Sequence, residues 1–249
     1  DQAAALVPLT YPADLVTGKP AALFNHQREA VKWQVACRNR ILDGCRARGG
    51  IVADEMGLAK TGSALIAANV HRAVTPNVRI IVLAPKSLQK NWEREAKRLN
   101  AIVEVYSDHP ATIPSPEAVP TPFVILADEA QRYQNPESGR TKAITALAQL
   151  AHCQGVYLLT GTPIKNGRPI NLLPLLKIIN HGMVSTYAKE GDYKFRYCDP
   201  QRIVTPRGPI TTFDGASNLD ELHDRTRPAV GPVVGKDADA DTGADHGLD

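Results

Sequence analysis

Val52-Ala53-Asp54-Glu55-Met56-Gly57-Leu58-Ala59-Lys60-Thr61 follows a short apolar run and ends in the Lys-Thr pair of a phosphate-binding loop. Backbone N–H groups that curl into a helix N-terminus form an anion site, and the helix dipole strengthens it. In that arrangement the main chain of Gly57, Leu58 and Ala59 wraps phosphate, Lys60 reaches the terminal phosphates and Thr61 offers its hydroxyl to a divalent cation. Both flanking glycines of the general pattern are missing, since Asp54 and Ala59 hold their positions. On its own the stretch reads equally well as an ordinary helix start.

The context decides between the two. Gly50 to Ala53 is a buried-strand candidate and Lys60 to Val70 has helical periodicity, so the loop lies between a strand and a helix. Upstream, Leu23 to Leu42 reads as a helix. Downstream the alternation continues: strand Arg79 to Ala84, helix Leu88 to Leu99 capped by Ser87, strand Ile102 to Tyr106 and a proline-rich loop. Strand Phe123 to Ala127, helix Thr141 to Leu150, strand Val156 to Thr160 and helix Asn171 to Ile179 complete it. Continuous apolar strands alternating with helices predict an α/β domain with a mainly parallel central sheet. After His181 the pattern weakens, and from Pro228 the composition predicts a disordered tail.

Two further constellations support phosphate chemistry. Asp128 and Glu129 follow an apolar strand, at the carboxyl end where open α/β sheets bind ligands. The first suits Mg²⁺ and the second an attacking water. Gly161-Thr162-Pro163 ends its own strand, and its hydroxyl is placed to sense phosphate.

Composition narrows the classes. The 249 residues are 43% hydrophobic and 22% charged, as in a globular protein. The segment 236–249 holds five Asp against one Lys, a net −4, so the remainder carries +7 against +3 for the whole. That basic excess suits a polyanion partner. Cys37, Cys45, Cys153 and Cys198 form no C-x-x-C pair, which argues against a zinc ribbon and for reduced thiols in a cytosolic-type compartment. No apolar run is long enough to span a membrane and no secretory signal is read at the N-terminus, so no membrane partner is expected. Asp1 is not a native start, which suggests a fragment.

Gln27, "DEMGLAKT" from Asp54, "VLAPKSLQKNWEREAKRL" from Val82, "VILADEAQRYQNPESGRTKAI" from Val124 and "LLTGTPIKNGRPINLLPLLKII" from Leu158 occur in that order. Together they resemble the first motor lobe of Swi/Snf-type DNA translocases, within helicase-like superfamily two. The branch they are most similar to is the annealing-helicase (HARP-like) one, which also carries a segment like Phe195 to Pro228. The resemblance implies a three-layer αβα RecA-like domain, with ATP and Mg²⁺ as cofactors and DNA as a weak, sequence-independent partner. It implies an arm over 1–22, the ATP-binding lobe over 23–182, a family-like extension over 183–228 and an acidic tail over 229–249. It implies that Gln27 reads adenine, that Lys60, Asp128 and Glu129 are catalytic, and that Thr61 and Asp128 hold Mg²⁺. Lys86, Ser87, Lys90, Lys165 and Asn166 then touch DNA, and Thr160 to Thr162 link hydrolysis to DNA grip. The compartment is the cytoplasm or nucleoid in a prokaryote or virus-infected cell, and the nucleus in a eukaryote.

Four departures from that pattern matter. Ala59 stands for glycine; at a position needing positive φ this costs about 1–2 kcal/mol, which predicts weakened rather than abolished ATP binding. Gln131 stands where a histidine is common, and glutamine can still hydrogen-bond toward the Gly161-Thr162-Pro163 element. The stretch before "VILADEA" is short, so one layer of the DNA footprint is expected to be missing. The second lobe, which supplies an arginine worth about 10³–10⁵ in rate, is not recognised. Two readings follow: an ATPase lobe that hydrolyses ATP only with a second lobe, supplied in trans or by a longer chain, or a non-catalytic nucleotide- or DNA-binding module or degenerate remnant.

Overall fold

The computed structural model describes residues 25–37, 41–42, 45–46, 48–53, 60–206 and 208–231. Its centre is a five-stranded, all-parallel sheet built from β1 (Gly49–Val52), β2 (Arg79–Ala84), β3 (Glu104–Ser107), β4 (Phe123–Ala127) and β5 (Cys153–Leu159), in the order β1-β5-β4-β2-β3. Residues of β1 and β4 are buried throughout, which is why these strands read as unbroken apolar runs.

Alternate residues of each strand serve opposite layers. Ile51, Ile81, Leu83, Ile125, Val156 and Leu158 join one buried cluster with Ile144 of α4 (Gly139–Ala148), Leu175 of α5 (Leu173–Ile178) and Tyr193 of α6 (Tyr187–Tyr197). Val52, Ile80, Val82, Val124, Leu126, Tyr157 and Leu159 join the other, with Val31 of α1 (Asn25–Ala36), Leu65 of α2 (Lys60–Val74) and Trp92 of α3 (Gln89–Arg98). The result is the expected three-layer αβα sandwich with a RecA-like parallel sheet.

Several local expectations shift. The first helix ends at Ala36 rather than Leu42, and Ile41–Leu42 pairs with Cys45–Arg46 in a short antiparallel ribbon. Ser87 does not cap α3. It lies in a turn closed by Leu88 N–H donating to Pro85 O at 2.8 Å, and Leu88 is the N-cap, without a side-chain bond. The true side-chain cap is Ser138, which accepts from Thr141 N–H and starts α4 two residues early.

The weakly patterned region after His181 is folded. It forms α6, an antiparallel hairpin of β6 (Gln201–Thr205) and β7 (Gly208–Thr212), and α7 (Leu219–Thr226). Tyr193, Tyr197 and Leu222 anchor it in the buried cluster, and polar clips that hydrophobic periodicity does not report join its parts. Arg196 and Tyr197 of α6 both bond Glu221 of α7, and Ser217 and Asn218 bond the Arg196 carbonyl.

Residues 229–231, expected to begin an unstructured tail, are paired instead. Ile51 N–H donates to Ala229 O and Gly231 N–H donates to Ile51 O, both at 2.8 Å, adding a parallel bridge from Val230 to the β1 edge. Residues 232–249 lie outside the described residues. Close approach explains the two glycines of β1. A Cβ on Gly49, at φ 132°, would sit 1.9 Å from Val156 O, and one on Gly50 would sit 2.4 Å from the Trp33 ring and 2.8 Å from Ala229 O.

Gly50→Ala is expected to lower stability by about 1–3 kcal/mol, read by chemical denaturation, with faster amide exchange at 229–231. A second expectation concerns acid. The Arg196 guanidinium, hydrogen-bonded to Glu221, holds that carboxyl down to about 2. Its contribution is therefore complete above the ordinary value of 4.5 and is lost as pH falls toward about 2. Amide exchange across 187–226 should accelerate over that window, and Glu221→Gln should remove the pH dependence.

Candidate nucleotide-binding site

Parallel strands end on the same side, so the residues that follow β1, β4 and β5 gather along one sheet edge. Val52 faces Leu159, Leu158 faces Ala127 and Ala127 faces Leu83. The chain then leaves β1 toward Lys60, β4 into Asp128 and β5 into Thr160. Main-chain bonds tie these exits together: Thr160 N–H donates to Val52 O at 3.0 Å, and Asp128 N–H donates to Leu83 O at 2.8 Å.

Lys60 and Thr61 open α2, as the sequence predicts. A 15-residue helix leaves its first amides without intrahelical partners and aims its positive end at the same edge. Gly57, Leu58 and Ala59 lie outside the described residues, so the expectations placed on them concern the sequence alone.

Asp128 is largely buried and tightly held. Trp92 Nε1–H donates to its Oδ2 at 2.8 Å and Glu129 N–H to its Oδ1 at 2.9 Å. Burial raises its pKa above the ordinary carboxylate value; the Trp92 and Glu129 N–H groups and the Lys60 charge oppose that rise. Lys60, at the start of α2, and Asp128, just after β4, lie on one edge of the sheet. Trp92 has no role in the sequence reading. A buried indole needs a partner for its N–H, and the "NW" that precedes the acidic pair in the motif order is the signal that could have found it.

Glu129 adopts the left-handed conformation, φ 51° and ψ 49°, uncommon for a residue with a Cβ and frequent at functional sites. A polar relay runs from it. Gln131 Nε2 donates to Glu129 Oε2, Thr160 Oγ1 donates to Gln131 Oε1 at 2.7 Å, and Thr162 N–H donates to Thr160 Oγ1 at 3.0 Å. Gln134 Nε2 adds a bond to Pro163 O at 3.0 Å. The proton count fixes the orientation of the Gln131 amide: the Thr160 hydroxyl spends its hydrogen on Oε1, which turns the NH₂ toward the carboxylate. Glutamine thus supplies one donor and one acceptor between the acidic pair and the 160–163 turn.

A magnesium ion takes hard oxygen ligands and keeps several waters, usually sharing phosphate oxygens with one or two carboxylates. Thr61 and Asp128 fit that donor set. Among the described residues no group of three or more His, Cys, Asp or Glu could hold a metal by itself. Gln27 is buried, near the start of α1.

Lys86, Ser87 and Lys90 are exposed beyond the end of β2, and Lys165 and Asn166 are exposed after β5. Lys86 lines a cleft of about 650 Å³ together with Ser107, His109, Arg132 and Arg140. Sequence reasoning missed the cluster beneath it. Arg132 and Arg140 both pair with the buried Asp108, each at 2.5 Å. No local motif marks Asp108, because its partners lie 24 and 32 residues away. The short stretch before β4 holds no strand beyond β3.

Gln131→Ala is expected to cost about 1–3 kcal/mol by leaving Glu129 and Thr160 without their shared partner. Gln131→Glu should cost more, because it sets a second carboxylate against Glu129. Denaturant titration measures both; equal stability of Gln131→Ala and the parent would dismiss the relay.

Comparisons with known proteins agree with this arrangement. Residues 26–109 match the model of the SNF2-related domain. The chain is 28% identical over 220 residues to the Xenopus tropicalis SWI/SNF-related matrix-associated actin-dependent regulator of chromatin subfamily A-like protein 1, covering 80% of this chain and 21% of that protein. It is 28% identical over 226 residues to the DNA repair and recombination protein RAD54B of Gallus gallus, covering 75% and 22%. It thus spans about a fifth of the length of these two relatives. Among solved structures, the Sulfolobus solfataricus SWI2/SNF2 ATPase core in complex with dsDNA superimposes with a TM-score of 0.63 at 21% identity, over 84% of this chain and 44% of that one, a likeness of fold. Motif order, sheet topology and these matches make the chain similar to SNF2-related domains, with the fold of a lobe of a Swi/Snf-type ATPase core.

Proposed function

We propose that this chain is the ATP-binding lobe of a Swi/Snf-type ATP-dependent DNA translocase, and that it hydrolyses ATP only together with a second lobe. The observation that carries the reading is the placement of Lys60, at the start of α2, and the half-buried Asp128, just after β4, on one edge of the parallel sheet. In this reading Lys60 and the α2 amides bind the phosphates, Thr61 and Asp128 hold Mg²⁺, Glu129 orients water and Gln27 reads the adenine edge. Hydrolysis needs positive charge on the far side of the transferred phosphoryl group. A single lobe presents only one wall of that cleft, so the chain alone binds nucleotide without turning it over.

DNA is the proposed polymer partner. Exposed Lys86 and Lys90, with Ser87 between them, and exposed Lys165 and Asn166 offer donors to phosphate oxygens and none is aimed into a base-reading element. Binding is therefore weak, indifferent to sequence and salt-sensitive. The alternative, a module that binds nucleotide or DNA without any catalytic partner, draws on Ala59, which stands in the sequence for the usual glycine of the loop.

Two measurements separate these. Calorimetric titration with Mg-ATP is expected to show binding that Lys60→Ala weakens by about tenfold or more, in line with the loss of a charge-assisted contact, and that Ala59→Gly strengthens. Absence of binding at millimolar nucleotide, in both the parent and Ala59→Gly, would remove the ATP-binding reading. Steady-state hydrolysis by the chain alone, abolished by Lys60→Ala, would overturn the requirement for a second lobe.

A further inference from the structure

Three nucleotide-site elements meet at one buried hydroxyl. Tyr157, in the middle of β5, is fully buried, as are His71 of α2 and Gln34 of α1. The Tyr157 hydroxyl donates to the Gln34 main-chain carbonyl at 2.7 Å, and His71 Nε2 lies 2.7 Å from the same oxygen. A phenol has one proton. Since it goes to Gln34, the His71 nitrogen is the donor, which settles which ring nitrogen of His71 carries hydrogen. The Gln34 carbonyl belongs to the last turn of α1, where carbonyls have no intrahelical partner. A strand side chain 123 residues away therefore caps α1.

These three elements are the ones the proposed site uses. Two turns before Gln34, α1 carries Gln27. Three turns before His71, α2 carries Lys60. Three residues after Tyr157, the chain reaches Thr160. Between the two helices apolar and small side chains also meet: Val31 and Val35 share a buried cluster with Ala64, Ala67 and Ala68. Such a surface holds the helices together but resists sliding poorly. Hydrogen bonds are directional, and phenylalanine at 157 would fill nearly the same volume without them.

We propose that Tyr157 and His71 are positioning residues for nucleotide selection: their shared hydroxyl sets the offset between the helix bearing the base-reading Gln27 and the helix bearing Lys60 and Thr61. The inference rests on the ATP-binding reading above. A ligand that spans both helices depends on the offset, whereas one that touches only α2 does not.

The test is titration of the full chain and of Tyr157→Phe with Mg-ATP, Mg-GTP and magnesium tripolyphosphate, below the melting temperature of both. Tyr157→Phe is expected to weaken ATP by about tenfold, the scale of one buried hydrogen-bond pair, while tripolyphosphate stays within about twofold and the preference for ATP over GTP falls. A merely structural role would lower the melting temperature and leave the ratio of ATP to tripolyphosphate affinity unchanged, and that result overturns the proposal. His71→Gln, which retains an N–H donor, should preserve the ATP preference better than His71→Leu; equal behaviour of the two counts against the shared hydroxyl. Failure of the unmodified chain to bind Mg-ATP overturns the underlying reading and this proposal with it, and is distinguished from the proposal's own failure, in which the parent binds and the ratio does not move.

Discussion

The rest of the molecule depends on the register of its parallel strands. With Val52 opposite Leu159, Leu158 opposite Ala127 and Ala127 opposite Leu83, every strand that matters ends within one row of the sheet. A one-residue slip in any pair would turn inward residues to the opposite layer and displace the loop that follows. Burial on both faces makes such a slip costly, since Ile51 and Val52, adjacent in sequence, belong to different cores. The apolar layers therefore do more than hold the fold together. They align a lysine, an aspartate and a threonine from distant parts of the chain along one edge.

On that edge, charge and hydrogen bonding are arranged in opposition. Burial pushes the Asp128 carboxylate toward its neutral form, and Trp92, the Glu129 amide and Lys60 pull it back. Fixed donors on both oxygens hold the carboxylate in one orientation, so little of it has to rearrange when a ligand approaches. Trp92 links this acid to α3, and Gln131 links its neighbour Glu129 to Thr160. The acidic pair is thereby joined both to the strand ends where exposed lysines lie and to the turn after β5.

The C-terminal part adds a mechanical element. Residues 229–231 hydrogen-bond to Ile51, in the strand that leads to the phosphate-loop sequence, and Trp33 of α1 packs against Gly50 and Gly231. The helix carrying Gln27, the strand before the loop and the segment that leaves the domain thus share one small contact.

Sequence by itself determined the layer architecture, the strands and the identity of Lys60, Thr61, Asp128 and Glu129, because these follow from local pattern: apolar runs bounded by loops, and polar residues just beyond them. It also anticipated that Gln131 bonds toward the 160–162 turn, since glutamine carries both a donor and an acceptor. Only the tertiary structure decided that Trp92 holds Asp128, that Asp108 joins two arginines, that Tyr157 caps α1 and that 229–231 extends the sheet. Each of these is a bond between residues tens of positions apart. A single chain's periodicity records which face a residue presents, but it carries no trace of which distant polar group the fold will bring to meet it.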